Sequence, residues 1–93
     1  MVRVKHTLNT LAGVALDYAH AIENSKRCKS GLQWAYLEWR ELNDMEGVYI
    51  ERGSQEWMAM MKATSDEYAA LFKAKSHERR CKAKFLAVAK GVE

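Results

Sequence analysis

The fold is decided by the stretch from residue 54 to residue 90, which reads SQEWMAMMKATSDEYAALFKAKSHERRCKAKFLAVAK. Apolar or small residues recur along it every three or four positions, which is the period of one face of an α-helix. These residues are Trp57, Met61, Thr64, Tyr68, Leu71, Ala74, Cys81, Phe85 and Val88, with the charged Glu78 as the exception in the row. The pattern predicts a helix from Ser54, a residue suited to cap it, to about Lys90.

The length of this helix raises a question about the shape of the molecule. An unbroken helix over the stretch is about 54 Å long, whereas a compact domain of 93 residues has a radius of gyration of about 12 Å. The helix therefore breaks, or the molecule is elongated, or it pairs with a second copy. Thr64 and Glu67 have the spacing of a capping box, so the preferred break lies there. Ser76 and His77 mark a weaker alternative.

A first helix is predicted upstream, from about residue 7 to residue 28. Thr7 or Asn9 is suited to cap it, because either side chain accepts a hydrogen bond from a free backbone N–H. Its apolar seam, with steps of three and four, consists of Val4, Leu8, Leu11, Ala15, Tyr18 and Ile22.

A boundary between two helices is predicted at Ser30 and Gly31. Gly31 is suited to end the first helix in a left-handed conformation. Alternatively, Ser30 caps a second helix, with Gln33 as the third residue of a capping box. In both cases a second helix continues to Leu42.

The composition agrees with an all-α fold. The chain has 93 residues, no proline and five glycines, and 48% of its residues are hydrophobic. This length suits one domain, residues 1–93, and the apolar content is enough for a core. We therefore predict a single elongated antiparallel three-helix bundle in which the third helix is long and breaks near Thr64 and Glu67.

The net charge of +3 conceals three regions of different sign. Residues 1–32 have five basic and two acidic side chains, residues 33–70 have three basic and eight acidic, and residues 71–93 have seven basic and two acidic. The regional charges are therefore +3, −5 and +5. The acidic and basic regions are suited to meet within the fold, across a dimer, or on different partners.

The amino terminus has some features of a signal peptide. Arg3, Lys5 and His6 precede an apolar run, and Ala19-His20-Ala21 resembles a cleavage site. Asn9 and Thr10 interrupt the run, and its apolar residues have helical spacing, so an ordinary first helix is preferred. No stretch of eighteen apolar residues predicts a membrane span. We expect a cytoplasmic protein without a membrane partner, in which Cys28 and Cys81 are reduced thiols.

The basic carboxyl-terminal region is the leading candidate for a binding surface. Lys75, Arg79 and Lys82 share one helix face, and Arg80 and Lys84 belong to a neighbouring row. Such rows attract phosphate or carboxylate groups. The alternative is an ordinary solvated helix face, whose positive charge the helix dipole also favours near a carboxyl terminus.

The aromatic residues Trp34 and Trp39 form a second candidate surface. Tryptophan dominates many binding sites, although these residues also have the spacing of core positions. We expect at least one tryptophan to be partly exposed, Trp34 in preference to Trp39. At least one of Met58, Met60 and Met61 is also expected to face outward.

The chain has few candidates for catalysis. His77 and Cys81 are four residues apart, a spacing that suits a metal, and Cys28 and His20 could complete such a site. No residue spacing brings them together, so we predict neither a metal nor a cofactor. There is no phosphate loop, dinucleotide fingerprint or nucleophile elbow. We therefore predict that the protein is not an enzyme.

These observations favour stoichiometric binding of another macromolecule. The hypothesis is a small helical inhibitor, adaptor or subunit of a larger protein complex, for example a phage-encoded inhibitor of a host nuclease or defence complex. The predicted partner-binding residues are Lys75, Arg79, Lys82, Arg80, Lys84, Trp34 and Trp39. The alternative is a nucleic-acid-binding module that uses the basic carboxyl-terminal helix. A homodimer is also predicted, because the third helix is long for a compact monomer.

Overall fold

The computed structural model describes residues 7–91 and contains three helices, which confirms the all-α prediction. Helix α1 covers Leu8–Leu42, α2 covers Gln55–Ala63 and α3 covers Ser65–Lys90. The molecule is a rod with dimensions of 64 × 21 × 18 Å and a radius of gyration of 19.5 Å. Val4, Arg3, Lys5 and His6, which entered the predictions for the amino terminus, lie outside the described residues.

The predicted boundary at Ser30 and Gly31 is wrong, because α1 runs through both residues without interruption. A glycine within a helix costs about 1 kcal/mol relative to alanine, which a long helix tolerates when packing continues on both sides. Here Ser25 and Leu32 are both buried, on the same face as Val14. The buried face thus continues on both sides of Gly31, and its packing stabilises the two predicted helices as one continuous helix.

The starts of α1 and α2 are capped as the sequence predicts. Of the two candidates for the start of α1, the structure selects Thr7, whose Oγ1 accepts a hydrogen bond from the backbone N–H of Thr10 at 3.1 Å. At the start of α2, the Ser54 hydroxyl oxygen accepts from the N–H of Trp57 at 3.1 Å. Each bond satisfies an amide that has no partner within its helix.

The connection between α1 and α2 is tied to α1 by Arg40. Its guanidinium donates to the backbone carbonyls of Met45 at 3.3 Å and Val48 at 2.6 Å. The chain also needs left-handed backbone at Gly47, with φ of 69°, and Gly53, with φ of 88°. Glycine adopts this conformation without steric cost. Asp44, with φ of 54°, adopts it in the same connection, and aspartate tolerates the left-handed region better than most residues.

The predicted break at Thr64 is confirmed, although its hydrogen bond is not that of a capping box. Thr64 ends α2 and precedes α3, but its side chain makes no capping bond to α3. Its hydroxyl instead donates to the carbonyl of Met60 at 2.7 Å, and the residue is buried. A threonine that bonds to the carbonyl four residues earlier competes with the helical pattern and bends the chain.

Helices α1 and α3 pack side by side in antiparallel directions. The rings of Tyr18 and Phe85 have centroids 5.9 Å apart, which pairs the start of α1 with the end of α3. Near the other end of α1, the Tyr36 hydroxyl donates to the sulfur of Met61 in α2 at 3.9 Å, so this contact joins α1 to the short second helix. The core that the three helices share is thin. Its buried apolar residues are Val14, Ala21, Leu32, Met60, Ala74 and Val88.

The apolar seam predicted for α1 is not its buried face. Leu11, Ala15, Tyr18 and Ile22 are only half-buried, and Leu8 is exposed. The buried residues lie one side-chain row away from this seam, because α1 turns the small Ala21 and Ser25 towards α3. Small residues let two helix backbones approach, whereas the larger seam residues occupy the margin of the contact. In α3 the predicted row contains both buried residues of the helix, Ala74 and Val88, whereas Tyr68 is exposed. The remaining apolar members of the row in α3 are half-buried.

Candidate functional site

One face of α3 combines exposed cations with exposed apolar side chains. We call it the α3 stripe, and it consists of Tyr68, Phe72, Lys75, Arg79, Lys82 and Leu86. At 100° per residue its members fall within about 80° of one another and extend over about 27 Å. Every member is exposed. The stripe is therefore a continuous surface with aromatic rings at one end, three cations in the middle and a leucine at the other end.

The arrangement has the chemistry of a recognition surface. Aromatic residues and arginine are enriched at protein interfaces, where they provide contact area and directed hydrogen bonds. The Arg79 guanidinium donates to the Ser76 hydroxyl at 3.1 Å, which orients the side chain along the helix. Its remaining N–H groups are suited to bind a carboxylate or phosphate in two-point fashion.

The structure separates Arg80 and Lys84 from the α3 stripe. Both line an open groove of about 580 Å³ between α1 and α3, on the opposite side of α3. Asp17, His20 and Asn24 of α1 form the other wall of this groove. A carboxylate thus faces the two cations there, so this side of α3 presents a more mixed charge than the α3 stripe.

The groove also contains a thiol next to an imidazole. The Sγ atom of Cys81 lies 3.5 Å from Nε2 of His77. Cys28 borders a second groove next to His77, and both cysteines are free thiols. No three histidine, cysteine, aspartate or glutamate side chains of the described chain converge as metal ligands. The geometry therefore groups these residues without forming a metal centre.

The two predicted tryptophans have different environments. Trp34 is 72% exposed on the side of α1 that faces away from α3. Trp39 is half-buried near the end of α1, where its backbone carbonyl accepts a hydrogen bond from the Asn43 amide at 2.8 Å. The exposure of Trp34 confirms the expectation, and so does that of Met58. Neither tryptophan lies on the α3 stripe, so the predicted residues belong to more than one surface.

Tyr36 lies where α1 meets α2, and its phenol has a shifted pKa. Burial raises the pKa of the Tyr36 phenol above its ordinary value, and the neighbouring Tyr68 adds to the increase. A hydrogen bond with Thr64 acts in the opposite direction. Tyr36 therefore stays neutral at physiological pH and serves packing at the junction of α1, α2 and α3.

The charge regions of the sequence become the two ends of the rod. Because α1 and α3 are antiparallel, residues 7–32 lie beside residues 71–91, and residues 33–70 form the other end. The first end has ten basic and three acidic side chains in the described chain, which sum to +7. The second end has three basic and eight acidic side chains, which sum to −5. The α3 stripe begins at the junction and extends into the basic end.

The sequence analysis missed a second exposed surface on α1. We call it the α1 stripe, and it consists of Ala12, Leu16, Ala19, Glu23, Arg27, Ser30, Trp34, Leu37 and Glu41. All nine residues are exposed and lie opposite the buried face of the helix. Their spacing of three and four residues was a signal for it. The predicted boundary at Gly31 divided the pattern between two helices and hid its continuity.

The comparisons with known proteins give no independent assignment. No protein-family model, curated protein or solved structure matches this chain. Within residues 7–91, none of the helices has the length and apolar content that crossing a membrane requires.

Proposed function

We propose that the protein is a non-catalytic binding protein whose α3 stripe docks on an acidic surface of another protein. The observation that carries the proposal is the unbroken exposure of Lys75, Arg79 and Lys82 between apolar side chains. Lysine and arginine stems cover apolar surface while their charged ends reach solvent or a partner. The charges of the α3 stripe therefore attract an acidic partner during association, and its apolar side chains provide surface that loses its water on binding.

The apolar members of the α3 stripe favour a protein partner over a solvated helix face. A helix face that serves only solubility needs charged residues and no large apolar ones. Phe72 is 62% exposed, and Tyr68 and Leu86 are also exposed. Exposed aromatic rings beside arginine are typical of protein interfaces, where a few such anchors provide most of the binding energy.

The second candidate function is nucleic-acid binding by the same helix. The observation that favours it is the number of cations on α3, which extend beyond the stripe to Arg80 and Lys84. A nucleic acid would use cations from both sides of the helix, because phosphate contacts depend on charge more than on apolar complementarity. A protein partner would use the α3 stripe in preference to the other side.

Two charge-reversal variants separate these functions. The first replaces the stripe cations by Lys75→Glu, Arg79→Glu and Lys82→Glu, and the matched control carries the same changes at Lys73, Arg80 and Lys84. Both variants change the net charge equally, and all six side chains are exposed, so neither is expected to unfold the protein. The partner is captured from host lysate, with and without nuclease, identified by mass spectrometry, and its binding rates are then measured.

The proposal expects the stripe variant to lose affinity at least about tenfold, mainly through a slower association rate that high salt partly masks. The control variant should lose clearly less. A similar loss in both variants, together with capture that nuclease abolishes and a steep dependence on salt, would replace the protein-partner proposal by nucleic-acid binding. Unchanged binding by a folded stripe variant would move the site to the region of Trp34 and Trp39.

Narrower parts of the hypothesis belong to the same proposal. They are the role as an inhibitor, adaptor or subunit, the example of a phage-encoded inhibitor of a host nuclease or defence complex, and the cytoplasmic location. The absence of catalysis is also a prediction, which rests on the sequence. Self-association is part of the proposal as well, and the α1 stripe supplies a geometry for it.

A further inference from the structure

We infer that the α1 stripe is a homodimer interface in which two copies of α1 pack in antiparallel directions about a twofold axis beside residue 25. The inference deepens the self-association in the proposed function by naming its surface and orientation. A twofold interface uses the same surface on both copies, so residue n of one copy faces residue 50 − n of the other when the axis lies at residue 25. This residue is also the midpoint of Leu8–Leu42.

The apolar residues of the α1 stripe are placed symmetrically about this midpoint. Leu16 lies nine residues before residue 25 and Trp34 nine residues after it. The two are five helical turns apart and therefore occupy the same azimuth on α1. In the antiparallel pair, Leu16 of each copy lies opposite Trp34 of the other. Both side chains are more than half exposed in the single chain.

Small residues of the α1 stripe lie opposite its larger ones. The antiparallel register brings Leu37 over the segment that contains Ala12 and Gly13, and it brings Ala19 over the segment of Ser30 and Gly31. A Cβ on either glycine would meet no atom within 4 Å in the single chain, so open space is present beside these positions. Alternation of large and small side chains allows two helices to interlock closely.

The charges of the α1 stripe are complementary in the same register. Glu23 and Arg27 lie two residues on either side of residue 25, so each Glu23 faces Arg27 of the other copy. On a larger scale, the antiparallel arrangement places the acidic end of one rod beside the basic end of the other. A parallel arrangement would instead place like-charged ends together, which is unfavourable.

The exposed area of the chain matches what a stable dimer requires. A compact monomer of 10.7 kDa exposes about 5,500 Å². This chain exposes 7474 Å², an excess of about 2,000 Å² over the compact reference. Permanent homodimers bury about 1,000–2,500 Å² on each partner. The single rod therefore leaves more surface exposed than a compact domain of its mass, and this excess lies within the range that a permanent homodimer buries on each partner.

Other faces of the rod are less suited to pack on themselves. The α3 stripe has three cations near its centre, and a twofold axis there would bring like charges together. The groove face has polar and charged walls that include Asp17, Arg80 and Lys84. The α1 stripe alone among these three surfaces combines apolar residues on both sides of its centre with charges of opposite sign at the centre.

Charge reversal at the centre of the α1 stripe tests the register directly. Glu23→Arg and Arg27→Glu each replace two attractive contacts by two repulsive ones, so each variant alone is expected to weaken the dimer at least about tenfold. An equimolar mixture of the two variants restores both attractive contacts in a mixed dimer. Sedimentation equilibrium of each variant and of the mixture gives the dissociation constants, and circular dichroism confirms that each variant is folded.

A second pair of variants tests the apolar contacts. Trp34→Glu is expected to yield a monomer, because it places a charge opposite Leu16. The matched control is Phe72→Glu on the α3 stripe, which has the same charge and a side chain of similar exposure, and it should leave the mass at twice 10.7 kDa.

Orientation is measured by spin labels attached to single cysteines at position 12 or 41, with Cys28 and Cys81 replaced by serine. In the antiparallel register, the two labels of a dimer are separated along the helices by about 39 Å for position 12 and by about 48 Å for position 41. A parallel dimer would bring each pair of labels to about 10 Å, the distance between neighbouring helices.

Several results would overturn the inference. The first is a wild-type protein that stays monomeric into the high micromolar range. The second is a single charge variant that dimerises as tightly as the wild type, or a mixture of the two variants that does not regain dimer affinity. The third is an equal effect of Trp34→Glu and Phe72→Glu on the dimer mass. None of these results bears on partner binding through Lys75, Arg79 and Lys82. Conversely, reversal of those three charges is expected to leave the dimer mass unchanged, so the two proposals fail independently.

Discussion

Replacement of Gly31 by alanine tests whether α1 is one helix. Gly31 lies inside α1, is exposed, and has no atom within 4 Å of the position that a Cβ would occupy. Alanine there meets no steric penalty and restricts the unfolded chain. We therefore expect Gly31→Ala to raise the free energy of unfolding by about 0.5–1 kcal/mol. For a domain of this size the corresponding increase in Tm is about 2–8 °C.

The other glycines provide matched comparisons. Gly13 is also helical with open space around it, so Gly13→Ala should stabilise the protein by a similar amount, and the double variant by about 1–2 kcal/mol. Gly47 and Gly53 have equally open surroundings but positive φ. Alanine at either of these positions should destabilise by about 1–2 kcal/mol, because its Cβ opposes the left-handed backbone.

The measurement is urea unfolding followed by far-UV circular dichroism, with every variant in the monomeric Trp34→Glu background, because self-association adds to apparent stability and the proposed dimer places Gly13 and Gly31 opposite the other copy. The decisive contrast is Gly31→Ala against Gly53→Ala. If Gly31→Ala destabilised the protein as much as Gly53→Ala, then Gly31 would be a left-handed helix terminus, and the continuous α1 would be wrong. The α1 stripe would then lose its basis as well.

Three further perturbations follow from individual side chains. The Ser25 hydroxyl is buried without a hydrogen-bond partner, so Ser25→Ala should be neutral or stabilise by up to about 1 kcal/mol in the same urea assay. Arg40→Met removes the bonds to Met45 and Val48; it should cost about 1–3 kcal/mol and speed amide exchange in residues 43–50, whereas unchanged exchange would mean that Arg40 does not hold the connection. The pKa of Tyr36 is raised in the folded protein, so unfolding favours deprotonation of its phenol. The contribution of the neutral phenol to the free energy of unfolding is therefore complete below the ordinary pKa of about 10, and it is lost as pH rises through the pKa of the folded protein. Tyr36→Phe should reduce this alkaline loss of stability, and an identical pH profile would contradict the assignment.

The sequence predicts element type better than it predicts where helices join. The absence of proline and the three-to-four spacing predict an all-α chain, and Thr7 and Ser54 mark helix starts because capping depends on local hydrogen bonds. The break at Thr64 is predicted at the right place but from a capping bond that the structure does not contain. Gly31 has the same local signal as a helix terminus. Whether a glycine ends a helix depends on packing beyond it, here the burial of Leu32 against the neighbouring helices, which local sequence does not specify.

The membership of the α3 stripe can be predicted from the sequence as far as helical periodicity determines which residues share a face. Lys75, Arg79 and Lys82 share a face because of their spacing alone, and the structure keeps them together. The position of Arg80 and Lys84 in a groove with Asp17 depends on the antiparallel register of α1 and α3. That register depends on which small residues allow the backbones of α1 and α3 to approach closely. The sequence analysis instead used the larger apolar residues of α1, and these predicted the wrong buried face.

The length of the rod sets how its opposite charges act in solution. At physiological ionic strength the Debye length is about 8 Å, whereas the molecule is 64 Å long. The basic and acidic ends are thus screened from each other and behave as two independent ionic patches. The pI of about 9.0 averages over both and describes neither. At neutral pH and low salt we expect the single rod, obtained as the Trp34→Glu monomer, to be retained on cation-exchange and on anion-exchange resins alike, each resin holding the opposite end of the same rod.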